Sequence, residues 1–376
     1  MTVQINGHCD PRFEAVKAAF ETNFREHGDV GASVAITLDG AFVVDLWGGH
    51  LDEDQSKLWQ KDTLVNVWSS TKTMAAMSLL LLADRGEVDL HAPAAKYWPE
   101  FSQNGKAGVE VRHFLSHTAG LPGMDEAVVG DALYDWEWMI GALARQEPWW
   151  EPGTQSGYHA LTQGHLIGEI VRRVTGQSIG NFFREEIAEP MDADFHIGAG
   201  EELDDRIGNL IAPETTVPPA PDSIAGRAFA NPPVDATEPR KRKWRAAEIP
   251  AANGQGNARS IVRAQTVMAN GGTAFGKTIM SEAGAKRIFE KQSEGLDLVL
   301  GVPLVFGMGY GLNSDLIPIS PNKNTCYWGG YGGSSVIVDQ DARLCFSYVM
   351  NKMDSGLQGD PRSFGLATAM YASLQT

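Results

Sequence analysis

Cysteine is scarce in this chain: Cys9, Cys326 and Cys345 are its only three, and no two form a C-x-x-C pair. An odd, scattered set excludes a disulfide framework and supplies no thiolate cluster for a structural zinc. Histidine is absent from the last 180 residues, since none follows His196. Long apolar runs are missing too. The longest, Met74 to Ala83, is about half the roughly 20 residues that a membrane-crossing helix requires, so it reads as a buried helix and no membrane partner is expected. Basic residues are outnumbered, 31 Lys and Arg against 47 Asp and Glu, and the net charge of −16 repels polyphosphates and anionic surfaces at long range. Nucleic acid is therefore not an expected partner. The opening MTVQINGHCDPRF has neither the basic nor the apolar region of an export signal, so the expected location is cytoplasmic. The one basic cluster, RKRKWR at Arg240 to Arg245, reads as a solvated surface run beside a proline-rich loop.

The 376 residues that remain to be organised fit one large domain with an insertion, or two lobes sharing a cleft. Asp10 and Pro11 form an N-cap and N1 pair, and Phe13, Val16, Phe20 and Phe24 follow at helical spacing, so a helix is expected to open the chain. ASVAITLDGAFVVDLWGG reads as a hairpin around Asp39-Gly40. Near the other end, Ser334–Val338 and Leu344–Met350 read as a second hairpin, and PRSFGLATAMYASLQ as a closing helix. The pattern between is mostly helical, with loops rich in Pro, Trp and Gly, and residues 213–236 read as one long loop. The expected fold class is α/β (α+β), an antiparallel sheet flanked by helices. Residues 1–86 and 251–376 would form the sheet-bearing lobe, with a mostly helical lobe at 87–250 inserted into it.

Several stretches imitate catalytic motifs. GGTAFGKT, with Gly271, Gly276, Lys277 and Thr278, has Walker A spacing, but a P-loop follows a strand, and Ile261, Val262, Ala264 and Val267 before it recur at helical spacing. GQSIG, Gly176 to Gly180, has the form of a nucleophile elbow, but Leu161, Ile167, Ile170, Val171 and Val174 form a helix face leading into it. Gly176 then reads as a C-cap and Ser178 as an N-cap. With only His196 after Ser178, the serine-acid-histidine order of that fold is not available. SPNK, Ser320 to Lys323, matches S-x-x-K, yet Pro321 and Asn322 favour a turn. His113 and His117 are spaced as a metal pair but lack the Glu of H-E-x-x-H and a third ligand, so no metal is expected.

NVWSSTKTMAAM, residues 66–77, differs from these. Ser69 and Lys72 are three apart, an extended stretch precedes them, and the helix that follows is apolar on nearly every face and so central. Ser69 would sit at the N-terminus of this helix, where free N–H groups favour developing negative charge. A buried Lys72 loses hydration and its pKa falls, which fits it for proton transfer. The plainer alternative is an N-cap serine with a nearby surface lysine.

Three more segments fit the first reading. VRHFLSHTAGLPG (111–123), GYHALTQGHLIGEIV (157–171) and YWGGYGGSSVIVD (327–339) resemble, with S-x-x-K, the motifs of β-lactamases and penicillin-binding proteins. Over nearly its whole length the chain resembles a family VIII carboxylesterase, the esterase branch of the class C β-lactamase fold. The resemblance implies a β-lactamase/transpeptidase-like fold, no cofactor, and a small-molecule ester as substrate; it specifies no oligomeric state. It makes Ser69 the acylated nucleophile, Lys72 its proton-sharing partner and Tyr158, the first position of Y-x-N, the general base that activates Ser69 and later the acid or base for the leaving group and water. It places the oxyanion hole at the backbone N–H groups of Ser69 and Tyr331. Two positions depart from the pattern. Ala160 replaces the asparagine of Y-x-N, and Trp328, followed by Gly329 and Gly330, replaces the lysine of K-T-G. Both changes remove polar anchors, which suits an uncharged ester of short acyl chain better than an anionic lactam. Trp149 and Trp150 precede Tyr158 on a loop placed to wall the cleft, unless they are ordinary core tryptophans. A β-lactamase, D-aminopeptidase or amidase on the same fold is the competing reading, and a P-loop nucleotide-binding protein the remote one.

Overall fold

The computed structural model describes residues 3–356 and 360–375. Its centre is an antiparallel sheet of nine strands among these residues: β1 (Ile5–Cys9), β2 (Gly31–Leu38), β3 (Ala41–Gly49), β4 (Ser293–Leu296), β5 (Pro303–Phe306), β6 (Gly311–Leu312), β7 (Thr325–Gly329), β8 (Ser335–Asp339) and β9 (Leu344–Met350). The spatial order is β1-β3-β2-β9-β8-β7-β6-β5-β4. Both ends of the chain thus meet at the β2–β9 ladder, where Ala35 pairs with Ser347. The β2–β3 hairpin turns at Asp39 and Gly40, both at positive φ as a tight two-residue turn requires. Strands and closing helix near the C-terminus lie where the sequence pattern predicts them.

Helices cover both faces of the sheet. On one, α5 (Ala258–Ala269) lies across β2 and β9, with Thr266 Oγ1 2.7 Å from Thr37 Oγ1. Beside α5 runs α2 (Thr71–Asp84), buried from Thr71 to Leu82 on every side, as its unbroken apolar composition requires. On the other face α1 (Glu14–Glu26) and α6 (Pro361–Ser373) pack together. Residues 87–250 add no strand to the sheet; they contribute helices and loops, among them α3 (Trp136–Arg145) and α4 (Thr162–Thr175), which packs on α2.

The structure corrects two expectations. A strand, β1, precedes the first helix and pairs with β3 from Ile5↔Gly48 to Cys9↔Val44; its residues do not alternate clearly, so the ladder and not the side-chain pattern defines it. RKRKWR is no free basic surface. Arg240 binds the Leu210 carbonyl and Glu53, Arg242 and Arg245 share Asp204, and Trp244 is fully buried.

Candidate active site

Val65–Asn66 pairs briefly with Gln255–Gly256, and a single 3₁₀ turn, Trp68–Ser70, then leads into α2. Trp68 adopts φ 47°, unusual for a bulky residue and costing about 1–3 kcal/mol, which surrounding contacts must hold in place. Its ring packs against Trp244 and Tyr331, at centroid separations of 5.4 and 5.7 Å. The neighbours of Ser69 in SSTK have structural bonds. Ser70 Oγ lies 2.9 Å from Ser334 Oγ, and Thr71 Oγ1 donates to the Trp68 carbonyl while accepting from Gly254 N–H. Ser69 alone faces the cleft with two proton-transfer groups on its oxygen.

Those groups are Lys72 and Tyr158. Lys72 Nζ lies 3.2 Å from Ser69 Oγ and donates to the carbonyls of Ala160 (2.6 Å) and Ala251 (2.8 Å). Only 1% of Lys72 is exposed, and burial pushes its pKa well below the ordinary lysine value. A neutral amine has two N–H bonds, which the two carbonyls accept, and its lone pair is then free for the Ser69 proton. The Tyr158 hydroxyl donates to Ser69 Oγ at 2.5 Å. Burial raises its pKa above the ordinary tyrosine value, so the resting hydroxyl is protonated. The Lys72 nitrogen sits 4.8 Å from the Tyr158 ring centroid.

Tyr158 is held by residues that its motif does not reveal. Its N–H donates to Asp297 Oδ1 at 3.0 Å, and the same carboxylate oxygen accepts from the N–H groups of Val299 and Leu300. His159 N–H donates to His117 Nδ1, His159 Nε2 accepts from Leu121 N–H, and His159 Nδ1 lies 2.6 Å from the Gly157 carbonyl. Burial pushes His159 down to about 3 and His117 well below its ordinary value, so both rings are neutral. These histidines shape the loop. His113 and His117 hold no common ligand: His113 Nδ1 accepts from Glu110 N–H, and among the described residues no His, Cys, Asp and Glu cluster suits a metal.

The turn after β7 completes the arrangement. A side chain on Gly330 would come within 2.2 Å of the Val67 carbonyl oxygen and 3.1 Å of Ser69 N, so only glycine lets the turn approach the serine. Among the described residues neither Ser69 N–H nor Tyr331 N–H has an acceptor, which leaves both free for an oxyanion. A cavity of about 680 Å³ opens here, lined by Ser69, Tyr158, Ala160, Trp328, Gly329, Gly330 and Tyr331. Trp328 packs on Tyr158, Phe306 and His117. Trp149 and Trp150 do not line the cavity, a correction to the expected cleft wall. Trp149 donates to Asp125 and stacks under Arg227, and the Trp150 ring fills the space beside Gly157, behind the Tyr158 loop.

The imitation motifs take other roles. Helix α5 precedes Gly271, and Lys277 lies in a two-strand turn with Thr278. Gly176 ends α4 in the left-handed conformation, and Ser178 caps the next helix and donates to Glu248. Ser320 donates to Asp339. Residues 213–236 are not one long loop, a further correction, because Ser223 caps a short helix, Ile224–Ala230, within them. The sequence also missed that Pro213, Val217, Pro218, Phe229 and Asp235 of this segment line the cavity.

A beta-lactamase family model matches residues 18–367. The chain belongs to the beta-lactamase family. The esterase/beta-lactamase LipL of Mycobacterium tuberculosis is 36% identical over 94% of this chain and 84% of its own length. A solved family VIII carboxylesterase is 41% identical with a TM-score of 0.93, covering 98% of this chain and all of its own. A penicillin-binding-protein homologue from Caulobacter crescentus is 36% identical, with a TM-score of 0.92 over the same shares. The fold expected from the motifs is the fold observed, and the protein is a hydrolase of the beta-lactamase fold. No helix among the described residues is long and apolar enough to cross a membrane.

Proposed function

We propose that this protein cleaves neutral carboxylic esters of short acyl chain through an acyl-enzyme on Ser69. The reaction would take place between the sheet-bearing lobe of residues 1–86 and 251–376 and the helical lobe of 87–250. The observation that carries the reading is the convergence of Lys72 and Tyr158 on Ser69 Oγ, at 3.2 and 2.5 Å.

Burial lowers Lys72 and raises Tyr158, and this sets the order of proton transfers. The neutral Lys72 amine takes the Ser69 proton as Oγ attacks the ester carbonyl. Lys72 thus takes the step of activating Ser69 that the resemblance gives to Tyr158, and Tyr158 keeps the later acid role toward the leaving group. The carbonyl oxygen gains negative charge between Ser69 N–H and Tyr331 N–H. Tyr158 gives its proton to the departing alkoxide and is reprotonated from Lys72. Water then enters where the alcohol left, loses a proton to the same pair and attacks the acyl carbon; the bond to Ser69 Oγ breaks and Oγ regains that proton, releasing the acid.

The cavity supports a neutral substrate. Among its described lining residues there is no lysine, arginine or histidine, while two acids, Asp235 and Asp360, are present. Asp360 is already paired with Arg362 at 2.5 Å. A substrate carboxylate entering this space meets no cation to replace its hydration. LipL carries both esterase and beta-lactamase in its name, so the two substrate classes must be compared in one assay. Steady-state hydrolysis of nitrophenyl acetate and of a chromogenic cephalosporin tests the reading. Acetate turnover dependent on Ser69 supports it, and a cephalosporin hydrolysed as efficiently contradicts it.

A further inference from the structure

The cavity does not end at the catalytic serine. Trp328 packs on Tyr158, so Trp328 and its register partner Val336 mark the catalytic face of the sheet. Tyr327, Ile337 and Phe346 are register partners across β7, β8 and β9 and therefore share the opposite face. Helix α6 covers that face: Tyr371 OH donates to Asp339, and the Arg362 guanidinium lies 6.0 Å from the Tyr348 ring. Yet Tyr327, Ile337, Phe346, Phe364 and Ala367 line the same continuous cavity as Ser69. The connection lies at the Gly329 end of β7. Strand β6 pairs only with Tyr327 and Cys326, so Trp328 and Gly329 have no neighbouring strand on that side.

Ile337, Phe346, Phe364 and Ala367 give this rear chamber an apolar wall, while Ser355, Asp360 and Ser363 line it at the start of α6, where Asp360 is paired with Arg362, and two further polar groups stand out. Tyr327 OH and Ser335 Oγ are buried and, among the described residues, have no hydrogen-bond partner. Both line the cavity, and Ser335 pairs with Gly329 and Tyr348, which puts it on the same face as Tyr327. Buried hydroxyls without partners cost stability, a cost that a bound group with a polar atom offsets.

We propose that the chamber is a second substrate subsite that holds one apolar arm of a neutral ester, a medium-length alkyl chain or an aryl ring. Tyr327 and Ser335 are placed to hydrogen-bond a polar atom on that arm. The site rests on the ester reading above and assigns where the part of the substrate remote from the carbonyl is bound. Ile317 and Ile319 close the chamber from the loop before β7.

The test fills the chamber from two sides, with Ala367→Trp on α6 and Ile317→Trp on the half-buried loop, the second protecting against misfolding of the first. Each folded variant and the wild type are assayed on nitrophenyl acetate against octanoate, and on ethyl against octyl acetate. The long-to-short ratio of kcat/KM is expected to fall at least about tenfold in the alkyl acetate series, with the alcohol arm in the chamber; a fall in the acyl series alone keeps the chamber and overturns the short-acyl reading. Ratios within about twofold of wild type in both series overturn the proposal. A second readout is independent of turnover. 1-Octanol is expected to raise the unfolding temperature of the wild type, ethanol is not, and the rise is lost in Ala367→Trp. A wild type that binds octanol but hydrolyses no ester keeps the chamber and removes the ester reading. Ester hydrolysis with unchanged ratios and no octanol effect does the reverse.

Discussion

Lys72 and Tyr158 face each other across Ser69, the lysine nitrogen 4.8 Å from the phenol ring centroid and both groups in reach of one hydroxyl oxygen. Burial acts on the pair in opposite senses, lowering the pKa of the amine and raising that of the phenol. The residue types are those of many surfaces; their burial together gives them a direction of proton flow.

Tyr158→Phe keeps the ring that packs on Trp328 and removes only the hydroxyl. Turnover is expected to fall by roughly 10² to 10⁴, the usual loss with a general acid or base, while KM changes much less. Wild-type turnover in Tyr158→Phe, measured with nitrophenyl butyrate, contradicts the role.

Lys72 is expected to set the acid limb of the pH profile. With Lys72 as the base, kcat/KM rises as pH climbs through its depressed pKa, well below the ordinary lysine range. Neither His117 nor His159 supplies this limb, since burial keeps both neutral. The same residue affects stability. Between the depressed and the ordinary lysine pKa the unfolded chain binds one more proton than the folded one, so stability rises with pH across that window. Lys72→Met is expected to remove both the activity and this part of the slope, read by chemical denaturation at a series of pH values.

Asp297 acts on Tyr158 from outside the motif. Asp297→Ala leaves the buried amides of Tyr158 and Val299 without their acceptor, at about 1–3 kcal/mol each. The expected result is a lower unfolding temperature and a lower kcat, both partly restored in Asp297→Asn, which keeps one acceptor oxygen. An unfolding temperature equal to wild type in Asp297→Ala contradicts the account.

The proposed substrate preference rests on the absence of a cation among the described cavity residues. An absent charge-assisted bond is worth about 1.5–3 kcal/mol to an anionic substrate, which is roughly ten- to a hundredfold in kcat/KM. Trp328→Lys is expected to narrow the gap between nitrophenyl esters and a chromogenic cephalosporin. An unchanged ratio shows that position 328 does not set the preference.

Much of the site was legible because its parts are local. The three-residue spacing of Ser69 and Lys72 needs only one helical turn, and the left-handed Gly176 is a local helix ending that exposes GQSIG as an imitation. What stayed hidden depends on distant contacts. Asp297 is 139 residues from Tyr158, and no pattern around either predicts that bond. The proline-rich loop carries no signal that it lines the cavity, and Trp149 and Trp150 share the composition of a cleft wall while packing behind it. Strand β1 is defined by its pairing with β3 alone.

The most direct test of the central claim is the intact mass of the protein after exposure to a fluorophosphonate, followed by peptide mapping. One adduct is predicted, on Ser69, absent in Ser69→Ala and retained in Ser178→Ala, Ser320→Ala and Lys277→Ala. An adduct on Ser178 or Ser320, or ester hydrolysis that survives Ser69→Ala, contradicts it.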